Sequence, residues 1–207
     1  MRRAVTVSFL IAAVGCGLVL HGCFGQTPLT TYYTLSPIET ASPGAGQTVA
    51  GDDVNIGIGP VTFPDELDRQ RIVTRSGRNR IEINEFHRWG GSLEHNFVRV
   101  LTENLSLLLN SNRVMALPWE RHFNPDYRVV MDVRRFDGRL GEFASLNATW
   151  MILKKGSDQP LVIRQTIVQE TIATEGYEPL VAAQSAAAAT ISREIAKELK
   201  KQMTAAP

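Results

Sequence analysis

Apolar side chains in residues 92–110 recur every three or four positions along the chain. This spacing places them on one face of an α-helix and predicts a helix that buries that face. Ser92 is a favourable N-terminal cap, and Asn110 stands where the apolar series stops. The positions that form the series are Leu93, Phe97, Val100, Leu101, Leu105 and Leu108.

A second helix is predicted from about residue 177 to residue 203, because apolar or small residues recur there at intervals of four. The small side chains in this series favour close packing of the helix on a sheet. The series consists of Ala183, Ala187, Ile191, Ile195, Leu199 and Met203.

Between and before these helices the pattern changes to the period of two that is typical of strands. Residues 72–75 and 80–83 flank a polar turn and predict a hairpin, whereas residues 36–53, rich in Pro, Gly, Ser and Ala, predict a long loop. The expected fold is therefore a single α/β domain, with two long helices packed on a mixed sheet of about six or seven strands. The segments with a strand-like pattern, from which these strands are drawn, are residues 30–35, 54–61, 72–75, 80–83, 114–117, 127–134, 146–152 and 161–168.

The N-terminus has the layout of a secretory signal, with Arg2 and Arg3 followed by an uncharged, largely apolar stretch over residues 4–20. This stretch is also near the lower length limit for a membrane span, so a retained anchor is the alternative. The segment that ends at Cys23, with Leu20 three positions earlier, resembles a bacterial lipobox. We therefore expect residues 1–22 to be removed and Cys23 to carry a diacylglycerol. Cys16 is the rival site, but it would leave an apolar new N-terminus.

Residues 23–31 are then a lipid-anchored tether, and residues 32–207 form the domain. Because extended chain spans at most about 3.5 Å per residue, residues 24–31 reach roughly 28 Å, which keeps the domain close to the membrane. Phe24 follows the cysteine. By resemblance to lipoprotein sorting rules, the absence of aspartate at that position favours the outer membrane, with the domain facing the periplasm of a Gram-negative cell.

Charge argues against a nucleic-acid partner. Lys and Arg number 22 against 21 Asp and Glu, which gives a formal net charge of +1 at pH 7. Phosphate binding requires a basic surplus or a clear basic patch. Among the remaining charges, Arg134 and Arg135 stand beside Asp137 and are interpreted as a solvated strand edge.

The segment RIEINEFHRWG, residues 80–90, concentrates candidate catalytic side chains. One hypothesis makes His87 a general base that Glu85 or Glu82 orients. The alternation of charged and apolar residues instead favours a half-buried strand, with Phe86 and Trp89 packing it against the following helix. If its register slips near Glu85, then Glu82, Asn84 and His87 point outward. No metal site is expected, because the other histidines belong to other elements.

Trp150 alternates with core positions and is expected to be buried, whereas Trp89 and Trp119 lie at the ends of elements. Exposed aromatic and arginine side chains are the usual anchors of protein interfaces. We therefore predict a partner-binding surface, and its candidate residues are Glu85, His87, Arg88, Trp89 and Trp119.

Several stretches together resemble one family, the ABC-type transport auxiliary lipoproteins of the PqiC-like group. They are NIGIGPVTFPDELDRQRIVTRSGRNRIEINEFHRWGGSLEHNFVRVLTENLSLLL, VMALPW, DYRVVMDVRRFDG and LNATWMIL. The resemblance covers about residues 32–199, and EFHRW and the Pro-Trp pair are its more specific parts.

This resemblance implies a compact α/β fold similar in layout to the N-terminal domain of TolB. It also implies a lipid-anchored periplasmic subunit without enzymatic activity or cofactor, which accompanies an MCE-domain protein (PqiB-like) in lipid transport between two membranes. A homo-oligomer remains open. The alternatives are a periplasmic enzyme that uses His87 and a structural envelope lipoprotein of TolB-like fold.

Overall fold

The computed structural model describes residues 28–39, 54–120 and 122–205. The signal sequence, Cys16, Cys23, the first part of the tether and most of the predicted loop lie outside these residues. The strands are β1 (Thr31–Tyr33), β2 (Ile56–Thr62), β3 (Arg71–Gly77), β4 (Arg80–Trp89), β5 (Val114–Ala116), β6 (Tyr127–Arg139), β7 (Phe143–Lys154) and β8 (Pro160–Thr171), and the helices are α1 (Leu93–Leu109) and α2 (Tyr177–Ala205).

Five of these strands form the larger sheet, in the order β5-β2-β6-β7-β8. β2 is parallel to both β5 and β6, whereas β6, β7 and β8 are antiparallel neighbours. Alternate residues along much of β6 and β7 are buried, as the period of two predicts. Trp150 on β7 is buried as predicted, and its Nε1 donates a hydrogen bond of 2.9 Å to Oγ1 of Thr166 on β8.

Both helices cover the same face of the larger sheet, α1 over β2 and β5 and α2 over β6, β7 and β8. Oγ of Ser92 accepts a hydrogen bond from the backbone N of His95, and Asn110 closes the helix in a left-handed conformation with φ 50°. The predicted beginning and end of α1 are therefore confirmed. Within the described ranges, neither helix combines the length and the apolar character that crossing a membrane requires.

Buried polar groups connect the two helices across an otherwise apolar contact. Nδ2 of Asn104 on α1 donates to Oγ of Ser192 on α2 at 3.2 Å, and that hydroxyl donates to the carbonyl of Ala188 at 2.6 Å. Oδ1 of Asn104 accepts the backbone N–H of Ile38 at 2.8 Å. One amide thus holds both helices and the segment that follows β1.

The remaining strands form a separate mixed sheet in the order β1-β4-β3. The predicted α/β class and the two long helices are confirmed, but the sheet is divided instead of single. The hairpin β3–β4 pairs with β1 instead of joining β2. β2 continues past Pro60 to Thr62 with a register shift between Ile58 and Val61, and the 3-10 turn at Asp65–Leu67 then takes the chain out of the larger sheet before the hairpin begins.

Candidate partner-binding site

β4 carries an irregularity in its pairing with β3 near Glu85. Val73 on β3 faces Ile83, but Arg71, two residues earlier, faces Arg88, so that the opposing stretch of β4 is longer. Within it, Oδ1 of Asn84 accepts the backbone N–H of Phe86 at 2.8 Å, which closes a local turn. The slip therefore occurs, but of the three residues expected to point outward with it only Glu82 is exposed, whereas Asn84 and His87 are half-buried.

His87 lies in an aromatic cluster that the sequence analysis did not foresee. Its ring stacks on Tyr177 with centroids 3.9 Å apart and planes at 10°, and its Nδ1 shares a hydrogen bond of 2.8 Å with the hydroxyl of Tyr33. We call Tyr33, His87 and Tyr177 the aromatic clamp. The clamp joins β1, β4 and the first residue of α2, so it fixes the point at which the chain enters the domain.

The two tyrosines of the aromatic clamp have raised pKa values. Burial raises the pKa of Tyr177 above its ordinary value, while hydrogen bonds with Thr74 and Asn84 oppose the rise and the charge of Glu82 adds to it. Burial and the nearby carboxylate of Glu178 raise the pKa of Tyr33. Both hydroxyls therefore stay protonated at neutral pH.

The remaining polar residues of the slipped segment face solvent. Glu85 forms an ion pair of 2.9 Å with Arg71, and both side chains are exposed. Nε of Arg88 donates to the carbonyl of Glu85 at 3.1 Å. Because Glu85 pairs with Arg71 and the Nδ1 of His87 faces a tyrosine, Glu85 does not orient His87 as the catalytic hypothesis requires. No cluster of three or more metal-ligating side chains occurs in the part of the chain that the structure describes.

Trp89 does not contribute an exposed aromatic side chain. It is only 3% exposed and belongs to the hydrophobic core, and its backbone N donates to the carbonyl of Gln70 at 2.6 Å. The expectation that Trp89 forms part of a docking surface is therefore wrong. Its position at the end of β4 suggested exposure, but α1 starts directly beyond it and the core continues across the junction.

Trp119 is half-buried on the other sheet, where it packs against Gly57 of β2. Its Nε1 donates to the carbonyl of Met115 at 3.1 Å. The neighbouring strand β6 begins near the end of α2, since the hydroxyl of Tyr127 donates to the carbonyl of Gln202 at 3.4 Å. At 1.5 Å per residue, about 38 Å of helix separates Gln202 from the aromatic clamp. The predicted surface is therefore split: Glu85, His87 and Arg88 lie at one end of α2, and Trp119 lies near the other.

A groove of about 760 Å³ lies on the side of β1 that does not pair with β4. Residues 31–39 form one wall, and α2 forms the other with small side chains such as Ala182 and Ala186. Tyr32 on β1 is exposed at its margin. The clamp end of the domain therefore offers the slipped segment of β4 on one side of β1 and this groove on the other.

An ion triad joins the two sheets. Asp137 on β6 is only 2% exposed, and its carboxylate accepts hydrogen bonds from Nε of Arg75 on β3 and, at 2.8 Å, from Nε of Arg135. The expectation that Arg135 and Asp137 form a solvated strand edge is therefore wrong. The partner that buries them lies on another strand, and the sequence near Asp137 holds no sign of it.

A second site was also not predicted from the sequence, because strand pairing brings its residues together. A pocket of about 400 Å³ near the end of α2 is lined by Trp119, Arg128, Lys154 and Lys155, which we call the basic pocket. These residues come from β6, β7 and the segments beside them, and pairing of β6 with β7 brings them together. In the sequence, the adjacent Lys154 and Lys155 are the local indication of positive charge in this pocket.

Solved structures share this fold. An uncharacterized protein, 20% identical, has a TM-score of 0.68, with 83% of this chain and 99% of that chain covered. A protein from Xanthomonas campestris assigned to the family DUF330, 17% identical, has a TM-score of 0.66, with 84% and 99% covered. No curated protein matches the chain.

The family is shown by the sequence itself. A profile of the ABC-type transport auxiliary lipoprotein component matches residues 33–196, which include both sheets, both helices except the last turns of α2, and the aromatic clamp. The first described residues of β1 and the whole preceding segment lie outside the match. The chain belongs to the family of ABC-type transport auxiliary lipoprotein components.

Proposed function

We propose that this protein is a lipid-anchored periplasmic accessory subunit of an MCE-type intermembrane lipid-transport complex. In this proposal Cys23 carries the lipid, the outer membrane holds the anchor, and the domain docks a PqiB-like MCE partner. The observation that carries the proposal is the family match over residues 33–196. The subunit acts by holding and docking, without catalysis.

The way in which the chain enters the domain supports an anchoring role. Leu29, in the last part of the tether, is 91% exposed, and the chain becomes fixed at β1, where Tyr33 joins the aromatic clamp. β1 pairs with β4 over only three residues, so the clamp adds the side-chain contacts that such a short strand lacks. A load applied through the tether would therefore be transferred to β4 and α2.

The docking surface that we propose is the slipped segment of β4, with Glu85 and Arg88 exposed or half-exposed and His87 behind them. Arginine and ordered polar groups at such a position are suited to a protein interface. Of the two carboxylates that could orient His87 in the enzymatic alternative, Glu85 is instead paired with Arg71.

Crosslinking in intact cells tests the partnership. A photoreactive residue placed at Arg88 should trap an MCE-domain protein, because the proposed surface includes that side chain. The same residue at Arg193, an exposed arginine on α2, is the matched control. If neither position traps an MCE-domain protein, and deletion of the chain leaves outer-membrane lipid balance and detergent resistance unchanged, the proposed function is wrong.

The anchor is tested separately. Cys23→Ser should give an unacylated precursor, whereas Cys16→Ser should be processed normally, and intact-mass analysis distinguishes the products. Acylation on Cys16, or an unshifted full-length mass, would contradict the proposed anchor.

A further inference from the structure

Away from the ion triad, where β3 covers it, the face of the larger sheet opposite the helices carries exposed and half-buried side chains in rows across β6, β7 and β8. Arg128 on β6 faces Leu153 on β7, and one pleat repeat further along, Val130 faces Met151, which in turn faces Ile163 on β8. Paired residues of neighbouring strands project on the same face. Val130, Met151 and Ile163 therefore form an apolar row, about 7 Å from the row that contains Arg128.

Solvent reaches this apolar row. Ile163 is 60% exposed, and Val130 and Met151 are half-buried. An isolated exposed apolar residue needs no explanation, but three on adjacent strands at one register form a continuous strip.

The basic pocket adjoins one end of the strip. Arg128 and Leu153 both line it, together with Lys154 and Lys155. Among the described residues, no carboxylate lies within ion-pair distance of Arg128, Lys154 or Lys155, whereas most arginines on the neighbouring strands β3 and β6 are paired. Asp158 on the rim offsets part of the charge. The pocket retains a positive surplus inside a domain whose overall charge is close to zero.

Trp119 forms the third element of the site. A Cβ atom added to Gly57 would lie 2.6 Å from Cζ2 of the indole, so the absence of a side chain at Gly57 lets the ring lie directly on the sheet. Gly57 pairs with Arg128 on the adjacent strand, which places the ring beside the cations. Tryptophan has an apolar body and one polar edge, and it favours positions between a charged headgroup and hydrocarbon.

We propose that the basic pocket and the apolar row bind one anionic glycerophospholipid molecule. Arg128 on the face of the apolar row, and Lys154 and Lys155 at the end of β7, hold the phosphate. The indole of Trp119 packs at the glycerol level, and an acyl chain lies along Val130, Met151 and Ile163. A volume of about 400 Å³ is within the range of small-ligand sites. The acyl chains extend over the open strip instead of entering an enclosed cavity. The binding site itself is argued from the geometry alone, and only the source of the lipid rests on the proposed function.

Native mass spectrometry and fluorescence titration of the full acylated chain in mild detergent test this inference. The probes are dioleoylphosphatidylglycerol, dioleoylphosphatidylcholine, dihexanoylphosphatidylglycerol and inorganic phosphate. We expect the long-chain anionic lipid to bind more tightly than the other three. Replacing Arg128, Lys154 and Lys155 together by Gln should lower its affinity about 100-fold, roughly fivefold for each cation removed. The matched control replaces Arg193, Lys197 and Lys200, exposed cations on α2, and should leave affinity unchanged.

A second pair of variants tests the acyl contact. Ile163→Thr should weaken binding of the dioleoyl lipid severalfold and leave the dihexanoyl lipid unaffected. Ile167→Thr is the control, since Ile167 is 69% exposed on the same strand but about 13 Å further along it. Equal binding of phosphatidylcholine, full competition by inorganic phosphate, or equal effects of the two isoleucine variants would overturn the proposal.

These experiments can contradict the lipid site without contradicting the proposed function, and the reverse. If the triple Gln variant still binds lipid but no longer captures an MCE-domain protein, the basic pocket is a protein contact and the inference is wrong. Lipid binding that persists in a chain with no MCE partner would contradict the proposed function alone.

Discussion

Two groups of charged side chains on the larger sheet have opposite surroundings. At the junction between the sheets, Asp137 is buried and both Arg75 and Arg135 are bonded to it. In the basic pocket, Arg128, Lys154 and Lys155 have no carboxylate partner among the described residues. Charges that satisfy one another hold two parts of a fold together, whereas charges left unpaired at a surface are available to a ligand. The two groups contain the same kinds of cationic side chain, and only their surroundings distinguish the paired charges of the triad from those that are available to a ligand.

The largest effect is expected at the ion triad. Asp137→Asn removes the one carboxylate that neutralises two arginines, and loss of a buried partner is expected to lower the free energy of unfolding by about 3 kcal/mol. Urea denaturation measures the change. Asp132→Asn is the matched control, since Asp132 pairs with Arg134 at an exposed position and should change stability by about 0–1 kcal/mol. Equal effects of the two variants would show that burial does not distinguish the triad.

The next effect concerns the packing of Trp119. Gly57→Ala places a methyl group where the indole lies, so we expect the ring to move and the protein to lose about 1–3 kcal/mol of stability. Lipid affinity should fall in the same variant. Gly77→Ala is the control, because the nearest atom to an added Cβ there is 3.9 Å away. An unchanged affinity in Gly57→Ala would separate Trp119 from the lipid site.

The aromatic clamp should contribute less. His87→Ala removes the stacking on Tyr177 and the hydrogen bond to Tyr33, and about 1–2 kcal/mol of stability should be lost. Hydrogen exchange should increase in β1 and in the first turn of α2. Lipid binding at the distant basic pocket should not change. A candidate substrate whose turnover disappears in this variant would instead support an enzymatic role for His87.

The smallest expected effect is a loss of stability at alkaline pH. The pKa of Tyr177 is raised in the folded protein, so the unfolded chain loses this proton first as pH rises above 10. Stability from this group is therefore complete below pH 10 and decreases as pH rises towards the higher folded pKa. Tyr177→Phe should flatten the decline of stability in that window, as measured by denaturant titration at a series of alkaline pH values. An identical decline in the variant would contradict this assignment.

Features determined by neighbouring residues were predictable from the sequence. The extent of α1, its cap at Ser92 and its end at Asn110 all depend on local spacing. These predictions succeeded because the interactions behind them join residues a few positions apart.

Features that depend on pairing between strands distant along the chain were not predictable. Tyr33 and His87 are 54 residues apart along the chain, and Arg75 and Asp137 are 62 apart. The division into two sheets and the basic pocket likewise follow from which strands lie side by side. The pattern of one strand shows which face is apolar, but it does not identify the strand that pairs with it.

The amide of Asn104 has a consequence for the uniqueness of the fold. Near Asn104 of α1, α2 contributes the small residues Ala188 and Ser192, and apolar contacts between helices specify their alignment less strictly than a buried polar group does. A shift of one helix past the other would leave the amide without Ser192 and without the N–H of Ile38, at about 1–3 kcal/mol for each stranded group. One polar side chain thus selects a single alignment of the two helices from several that apolar packing alone would tolerate.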